Sequence, residues 1–439
     1  MEARILIMCV VLTLISACQK KATMLVEPKL NVAVKNVMLD EGRGGIGPCE
    51  PSICINPNNP EQILAGVVLD RVYVSNDGGK SWTKSKLESS VGVFGDPVVR
   101  IAADGTFYFA HLTNPSGKAY ASDDFLDRIQ VQKSTDGGLT WNDGTAPAND
   151  RLKDQDKQWL YIDPSTGEVL MSWTEFDKYG DETMKDCSRI LFAKSTDKGE
   201  SWSAPIAISD LQGDCVDDDY TTEGAVPAMD KDGNIYVAWA YADHIYMDKS
   251  TDGGLTWLPS DIVVDSLFGG WALDIPGINR CNGMPVLGID RSAGEHSGNL
   301  YVNWSDQKNG VNDTDIWLVS SDDGGATWSS RVRVNDDAAG SHQFFTWMDV
   351  DPVTGYIYVV YYDRRAYDDN RTDVYLAYST DGGRTFTNEQ ISEEPFVPSE
   401  EVFFGDYNDI SAYGGVVRPI WTRYDDGTLS VWTALIQHK

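Results

Sequence analysis

Short runs in which apolar residues alternate with polar or aromatic ones recur through the chain, each closed by glycine, asparagine, aspartate or proline. The segments VLMSW, IYVAW, LYVNW, IYVVY and VRPIW end at Trp173, Trp239, Trp304, Tyr361 and Trp421. A period of two with β-branched and aromatic residues predicts strands, and their apolar character on both faces predicts packing between neighbouring sheets. A short turn precedes each such strand: NPNNP from Asn56, ADG from Ala103, DPSTG from Asp163, DKDGN from Asp230, DRSAGEHSGN from Asp290, DPVTG from Asp351 and YGG from Tyr413. These are turn residues with a mechanism, supplying positive φ or side-chain acceptors.

A second signal lies between the turns. The pattern S-x-D-x-G-x-[ST]-[WF] occurs as SNDGGKSW from Ser75, STDGGLTW from Ser134, STDKGESW from Ser195, STDGGLTW from Ser250, SDDGGATW from Ser321 and STDGGRTF from Ser379. Repetition at near-constant spacing marks a repeat architecture. Each copy reads as a tight hairpin turn: the Asp carboxylate accepts hydrogen bonds from turn amides, Gly supplies positive φ, and the aromatic ring packs beneath the turn. The role expected for Asp77, Asp136, Asp197, Asp252, Asp323 and Asp381 is structural. The motif resembles the Asp-box, or BNR, repeat of the sialidase superfamily, and its copies cover nearly all of the chain after the first thirty residues.

Each unit of about 60 residues then holds four strands, A to D, with the short turn between A and B and the box between C and D. The unit that begins at Tyr407 has A, B and C but no box and no D strand. An alternating stretch at the other end, LNVAVKNVML from Leu30, can supply the missing strand. The expectation is an all-β domain over 30–439, a β-propeller of seven four-stranded blades closed by the N-terminal strand, with the six blades of sialidases as the alternative.

Strand direction alternates within a blade, so A–B and C–D turns share one face, the box face, and B–C and D–A connections share the other. Irregular charged loops belong to this second face. Residues preceding each A strand should ring the channel mouth there: Glu50, Asp96, Asp156 with Lys157, Glu223, Arg280 with Asn282, Gln343, and Asp406 with Tyr407. Residues following the B strands should extend the ring: His111, Glu175, Asp243, Asp306, Asp363 with Arg364 and Arg365, and Arg423. Convergent carboxylates, arginines and aromatics at the axis make the default site.

The family resemblance implies three arginines for a substrate carboxylate, a Tyr nucleophile paired with Glu, and an Asp acid/base. Asp96, Glu223, Arg280, Arg364 and Tyr407 follow that plan in chain order, while the family's Arg-Ile-Pro tripeptide is absent and Arg100 is the only early arginine candidate. The other route is ordinary glycosidase chemistry, in which two carboxylates act as acid and as base or nucleophile. Asp96, Asp156, Glu223, Asp363 and Asp406 are its candidates, with Arg280, Arg364, Arg365, Arg423 and Lys157 contacting the sugar and Trp159 or Tyr407 stacking on it. The expected function is a sialidase-like glycan-processing protein, with a non-catalytic glycan- or protein-binding propeller of a cell-surface complex as the alternative.

The hydrophobic fraction is 41% and the aromatic fraction 11%, enough for a large core. A net charge of −31 argues against nucleic acid, and an anionic substrate would need a local arginine cluster. Residues 1–17 carry one arginine and an apolar run too short for a comfortable membrane span, and read as a cleaved export signal. Ile15-Ser16-Ala17-Cys18 resembles the lipobox of bacterial lipoproteins, which implies lipidation of Cys18, a tether over 18–29 and an outer-membrane or cell-surface address.

Among the other cysteines no CxxC spacing suggests zinc, and Cys187 with Cys215 is the expected disulfide. No cofactor is required by either chemistry. Acidic clusters at Asp217, Asp218 and Asp219 and at Asp368 and Asp369 offer oxygen ligands of the type Ca²⁺ takes, although neither fits an EF-hand loop.

Overall fold

The structure is a computed structural model that describes residues 35–43, 46–183 and 185–438. Its strands form seven antiparallel sheets around a central axis, a seven-bladed β-propeller. The innermost A strands are Ser52–Ile55, Val98–Ile101, Asp154–Ile162, Glu223–Met229, Val286–Ile289, Gln343–Val350 and Asp409–Tyr413. Blade 7 has the order Asn36–Gly42, Thr428–Ala434, Val416–Asp425, Asp409–Tyr413, so the N-terminal strand is its outermost member and closes the ring. The closing strand begins at Asn36, and the earlier part of the stretch expected there lies outside the described residues, as do the export signal, Cys18 and the tether. Among the described residues no helix is long and apolar enough to cross a membrane.

Blade 2 departs from the four-strand expectation. Its sheet has three strands, and a single bridge between Val131 and Thr145 stands where the D strand belongs. The segment after that box, NDGTAPAND, carries Gly144 with φ of 82° and Pro147, which weaken or forbid a continued ladder.

The core lies between blades. Trp173, Trp239, Trp304, Trp421 and Tyr361 are fully buried, as the alternation of their B strands predicts. The boxes fold as local hydrogen-bond clusters. In the second, the Ser134 hydroxyl accepts the Gly138 amide at 2.9 Å and donates to Asp136 at 2.8 Å. Asp136 in turn accepts the Thr140 amide at 2.9 Å and its hydroxyl at 2.6 Å. The fourth box, Ser250 to Trp257, repeats these bonds. Gly254 has φ of 85°, and a Cβ there would lie 2.6 Å from the Phe192 ring of the preceding blade, so only glycine lets the turn pack this closely.

The five described cysteines are all free thiols, which corrects the expected Cys187–Cys215 disulfide. The two instead flank one turn through their backbones: Cys187 O accepts the Asp177 amide at 2.9 Å and Cys215 O accepts the Gly180 amide at 2.6 Å.

Candidate functional site

A recurring bulge aims side chains into the channel mouth. In blade 3 Trp159 pairs with Ser172 and Asp156 with Thr174, leaving Lys157 and Gln158 opposite Trp173 alone. Blade 4 does the same at Gly224 and Ala225, and blade 6 at Phe345 and Thr346. In blades 1 and 2 the Val68 amide bonds to Cys49 O at 3.2 Å and the Leu112 amide to Gly95 O at 3.1 Å, carrying the ladder past Glu50 and Asp96. The bulged residues Glu50, Asp96, Lys157 and Phe345 have φ between 46° and 52°. Left-handed backbone at such residues costs about 1–3 kcal/mol each and clusters at functional sites. The return for that strain is that charged side chains turn toward the axis.

The turned side chains meet there. Lys157 Nζ donates to Asp406 Oδ2 at 2.7 Å and lies 3.6 Å from Asp96 Oδ2. Arg280 grips Asp406 with two nitrogens, Nε at 2.8 Å from Oδ1 and Nη2 on Oδ2, while its Nη1 bonds to Asp217. The Tyr179 hydroxyl donates to Asp217 at 2.9 Å. Asp156 Oδ1 accepts the Lys157 amide at 2.8 Å, and Glu50 Oε1 accepts the Asp406 amide at 3.2 Å. The carboxylate residues of the mouth are at most 9% exposed, apart from Asp217, whose side chain is 4% exposed; the Arg280 side chain is 34% exposed and caps them.

Burial and charge divide these acids. Burial pushes Asp156 up to about 8, Lys157 opposes, and the charges of Asp96 and Asp217 add to the rise. Burial also drives Glu50 and Glu223 well above the usual carboxylate range, with Asp96 and Asp406 reinforcing it at Glu50 and Asp217 at Glu223. Burial acts on Asp406 too, but Arg280 and Lys157 prevail and hold it down to about 2. The Tyr407 phenol is driven well above its ordinary value, chiefly by burial, and finds no hydrogen-bond partner.

The structure thus brings together Asp96, Asp156, Lys157, Glu223, Arg280, Asp406 and Tyr407. It does not bring Asp363, Arg364, Arg365, Arg423 or Trp159 into this cluster. Asp363 is bound by Arg365 at 2.8 Å, and Arg365 also reaches Asp336 and lies over the Tyr375 ring. Arg364 donates to Pro276 O at 2.7 Å and Thr372 at 3.1 Å, and Arg423 engages Asp425 and the Glu394 carbonyl. These four lie at or near the ends of B strands, which stand one strand farther from the axis, about 4.8 Å out. Trp159 lies below the mouth against Trp347, centroids 4.2 Å apart, with Tyr407 at 5.3 Å, and is 2% exposed.

Beneath those rings a cavity of about 640 Å³ is lined by the A–B turns of the box face together with Arg100, Trp159, Asp349 and Asp409. Arg100 therefore belongs to the lower channel, Arg280 to the mouth and Arg364 to neither, so no three-arginine clamp forms. The Tyr407 hydroxyl makes no hydrogen bond with a Glu, although the charge of Glu50 acts on it.

Three members went unassigned in the sequence. Asp217 sits in the acidic run that offers oxygen ligands of the Ca²⁺ type and is bound by Arg280. Among the described residues no group of three or more His, Cys, Asp or Glu is arranged to hold a metal. Tyr179 and Tyr120 come from the long B–C loops of blades 3 and 2. Tyr120 is 73% exposed, stacks toward Tyr179 at 6.4 Å and feels the charges of Asp156, Lys157 and Arg280, which places it at the rim. Aromatic residues in otherwise polar loops were the available signal.

The fold and repeats define the class: a propeller built on BNR/Asp-box repeats, whose family description matches residues 73–84. No curated protein matches the chain. Among solved structures, a PL25 ulvan lyase bound to -[GlcA(1-4)Rha3S]- is similar at TM-score 0.54 and 12% identity, covering 92% of this chain and 96% of that one. A leech intramolecular trans-sialidase complexed with 2,7-anhydro-Neu5Ac is similar at 0.51 and 13%, over 84% and 73%. A protein of unknown function from Dyadobacter fermentans is similar at 0.50 and 12%, over 92% and 99%. At these identities the likeness is one of fold.

Proposed function

We propose that the chain is an exported carbohydrate-active propeller that hydrolyses a glycosidic bond at the channel mouth. The observation that carries this reading is a protonated acid beside a second carboxyl in one mouth: burial holds Asp156 protonated up to about 8, and Asp96 lies 3.6 Å from Lys157. A carboxyl that keeps its proton and a second carboxyl near it are the pair that glycoside hydrolysis uses. In this assignment Asp156 protonates the leaving oxygen. Asp96, whose Oδ2 receives no hydrogen bond, faces the anomeric carbon or its water. Asp406 fixes Lys157 and Arg280, and Tyr120 and Tyr179 offer ring faces to a sugar. The carbohydrate ligands named for the ulvan lyase and the leech trans-sialidase, both of this fold, support the substrate class.

The test is a screen of the purified chain against sialosides and other glycosides, reading turnover and binding together, repeated with Asp156→Asn. Turnover that survives this substitution undiminished refutes the assignment. The burial of the mouth's carboxylates beneath Arg280 favours a second reading, a glycan-binding propeller without catalysis, and binding without turnover across the panel would establish it. The lipobox ending at Cys18 supports a lipid-anchored location at the outer membrane or cell surface.

A further inference from the structure

If the mouth is a sugar site, its balance of charge and hydrogen bonding narrows the sugar. Lys157 and Arg280 are the cations that act on its acids, and both are engaged: Lys157 lies between Asp96 and Asp406, Arg280 between Asp406 and Asp217. Six carboxyl groups share them, the remaining ones being Glu50, Asp156 and Glu223. An acceptor also stands open. Asp96 Oδ2 is buried without receiving a hydrogen bond, Asp217 and the protonated Glu223 are bonded to each other, and the Tyr407 hydroxyl is unpartnered beside them. A buried acceptor left unpaired is unfavourable, more so when charged, and with Glu50, Asp156 and Glu223 protonated the two cations still face Asp96, Asp217 and Asp406.

A sugar acid would supply the wrong sign. Its carboxylate would meet cations already paired at the mouth, Lys157 with Asp96 and Asp406 and Arg280 with Asp406 and Asp217, while Arg364 and Arg423 make their bonds outside the cluster. We propose that the mouth binds a saccharide through a free, protonated amine seated among Asp96, Asp217 and Glu223. The ammonium donates three hydrogen bonds and carries the missing charge. The exposed Tyr120 ring, with Tyr179 behind it, covers the apolar face of the same pyranose and favours a cation nearby. Arrival of the cation also drives protons off Glu223 and Glu50, which burial keeps protonated in the empty mouth.

The test is calorimetric titration of the full chain at about pH 6, where a sugar amine keeps its proton. The probes are a glucosamine tetramer, its N-acetylated counterpart and a galacturonate tetramer. The amine tetramer should bind about tenfold or more tighter than the acetylated one and release protons, read as a heat that changes with the ionisation enthalpy of the buffer. The galacturonate tetramer should not bind. Glu223→Gln with Asp96→Asn should abolish the preference at an unchanged or raised melting temperature. Equal affinity for the amine and acetyl probes, tighter binding of the uronate, or no binding of any probe overturns the proposal. The outcome is separable from the hydrolase reading: turnover of neutral glycosides with no amine preference leaves the hydrolase and removes the amine site, and amine binding without turnover does the reverse.

Discussion

Lys157 of blade 3 and Asp406 of blade 7 meet at 2.7 Å across the channel, with side chains 5% and 1% exposed. The pair is a tie between opposite sides of the ring as well as part of the site. Removing one member of a buried ion pair leaves the other uncompensated, at a cost of about 3–5 kcal/mol. Lys157→Met should therefore lower unfolding free energy by roughly that amount in urea titration. A loss below about 1 kcal/mol, the range of a surface pair, would show that Arg280 alone neutralises Asp406.

Asp156 governs the pH dependence. Activity should fall as pH rises through about 8, when the proposed acid loses its proton, and Asp156→Asn should lower turnover by about 10²–10⁴-fold. Stability follows the same group. Between its unfolded value of about 4 and its folded value of about 8 the native chain holds the proton that the unfolded chain has released, so this contribution declines as pH rises. Asp406 has the opposite sign: its contribution is present above about 4 and disappears as pH falls toward about 2. Melting temperatures across pH should show the decline between about pH 4 and about pH 8 flattened in Asp156→Asn, and an unaltered profile would exclude the raised acid.

The boxes should separate stability from activity. Ser134→Ala strips the acceptor from the Gly138 amide, a buried bond of 2.9 Å, and should cost about 1–3 kcal/mol by chemical denaturation. Turnover at a temperature where the variant is folded should be unchanged, because the box faces away from the mouth. A specific loss of turnover would contradict that placement.

Asn36 should matter more than a residue near a chain end usually does. Its amide donates to Glu393 at 2.9 Å, its side chain donates to Ile391 O at 2.8 Å, and its Oδ1 accepts the Glu393 amide at 2.9 Å, stitching the closing strand to blade 6. Asn36→Ala should cost about 1–3 kcal/mol and sharpen hydrogen exchange in the strand over Thr428–Ala434. Protection there equal to the parent's would remove the stitch.

Cys18→Ala should abolish incorporation of a radiolabelled fatty acid and release the protein from membranes. Continued labelling would place the lipid elsewhere.

What could be read from the sequence was what local patterns encode. Boxes and A–B turns are short motifs whose hydrogen bonds close within a few residues, so counting them gave seven blades and showed that blade 7 lacked its outer strand. The bulges at Glu50, Asp96 and Lys157 were not legible, because a bulge is a mismatch of register between two strands and neither strand records it alone. The adjacent residues Asp156 and Lys157 both reach the mouth, whereas Arg364 and Arg365 turn to different local partners. Proximity to a strand end was enough for the first pair only because A strands line the axis. Tyr120, Tyr179 and Asp217 enter from long loops whose return path depends on tertiary packing.

The closure of blade 7 has a consequence in time. The strand Asn36–Gly42 is made first among the described segments, and its partner Thr428–Ala434 nearly last. During synthesis the early strand therefore waits with an open edge, the kind that invites pairing with a wrong neighbour. Asp40 and Glu41 place two negative charges on that edge while it waits. Once folded, Asp40 is taken up by Arg71 at 2.9 Å and Lys84 at 2.6 Å, so one of the residues that discourage early mispairing also latches the finished circle.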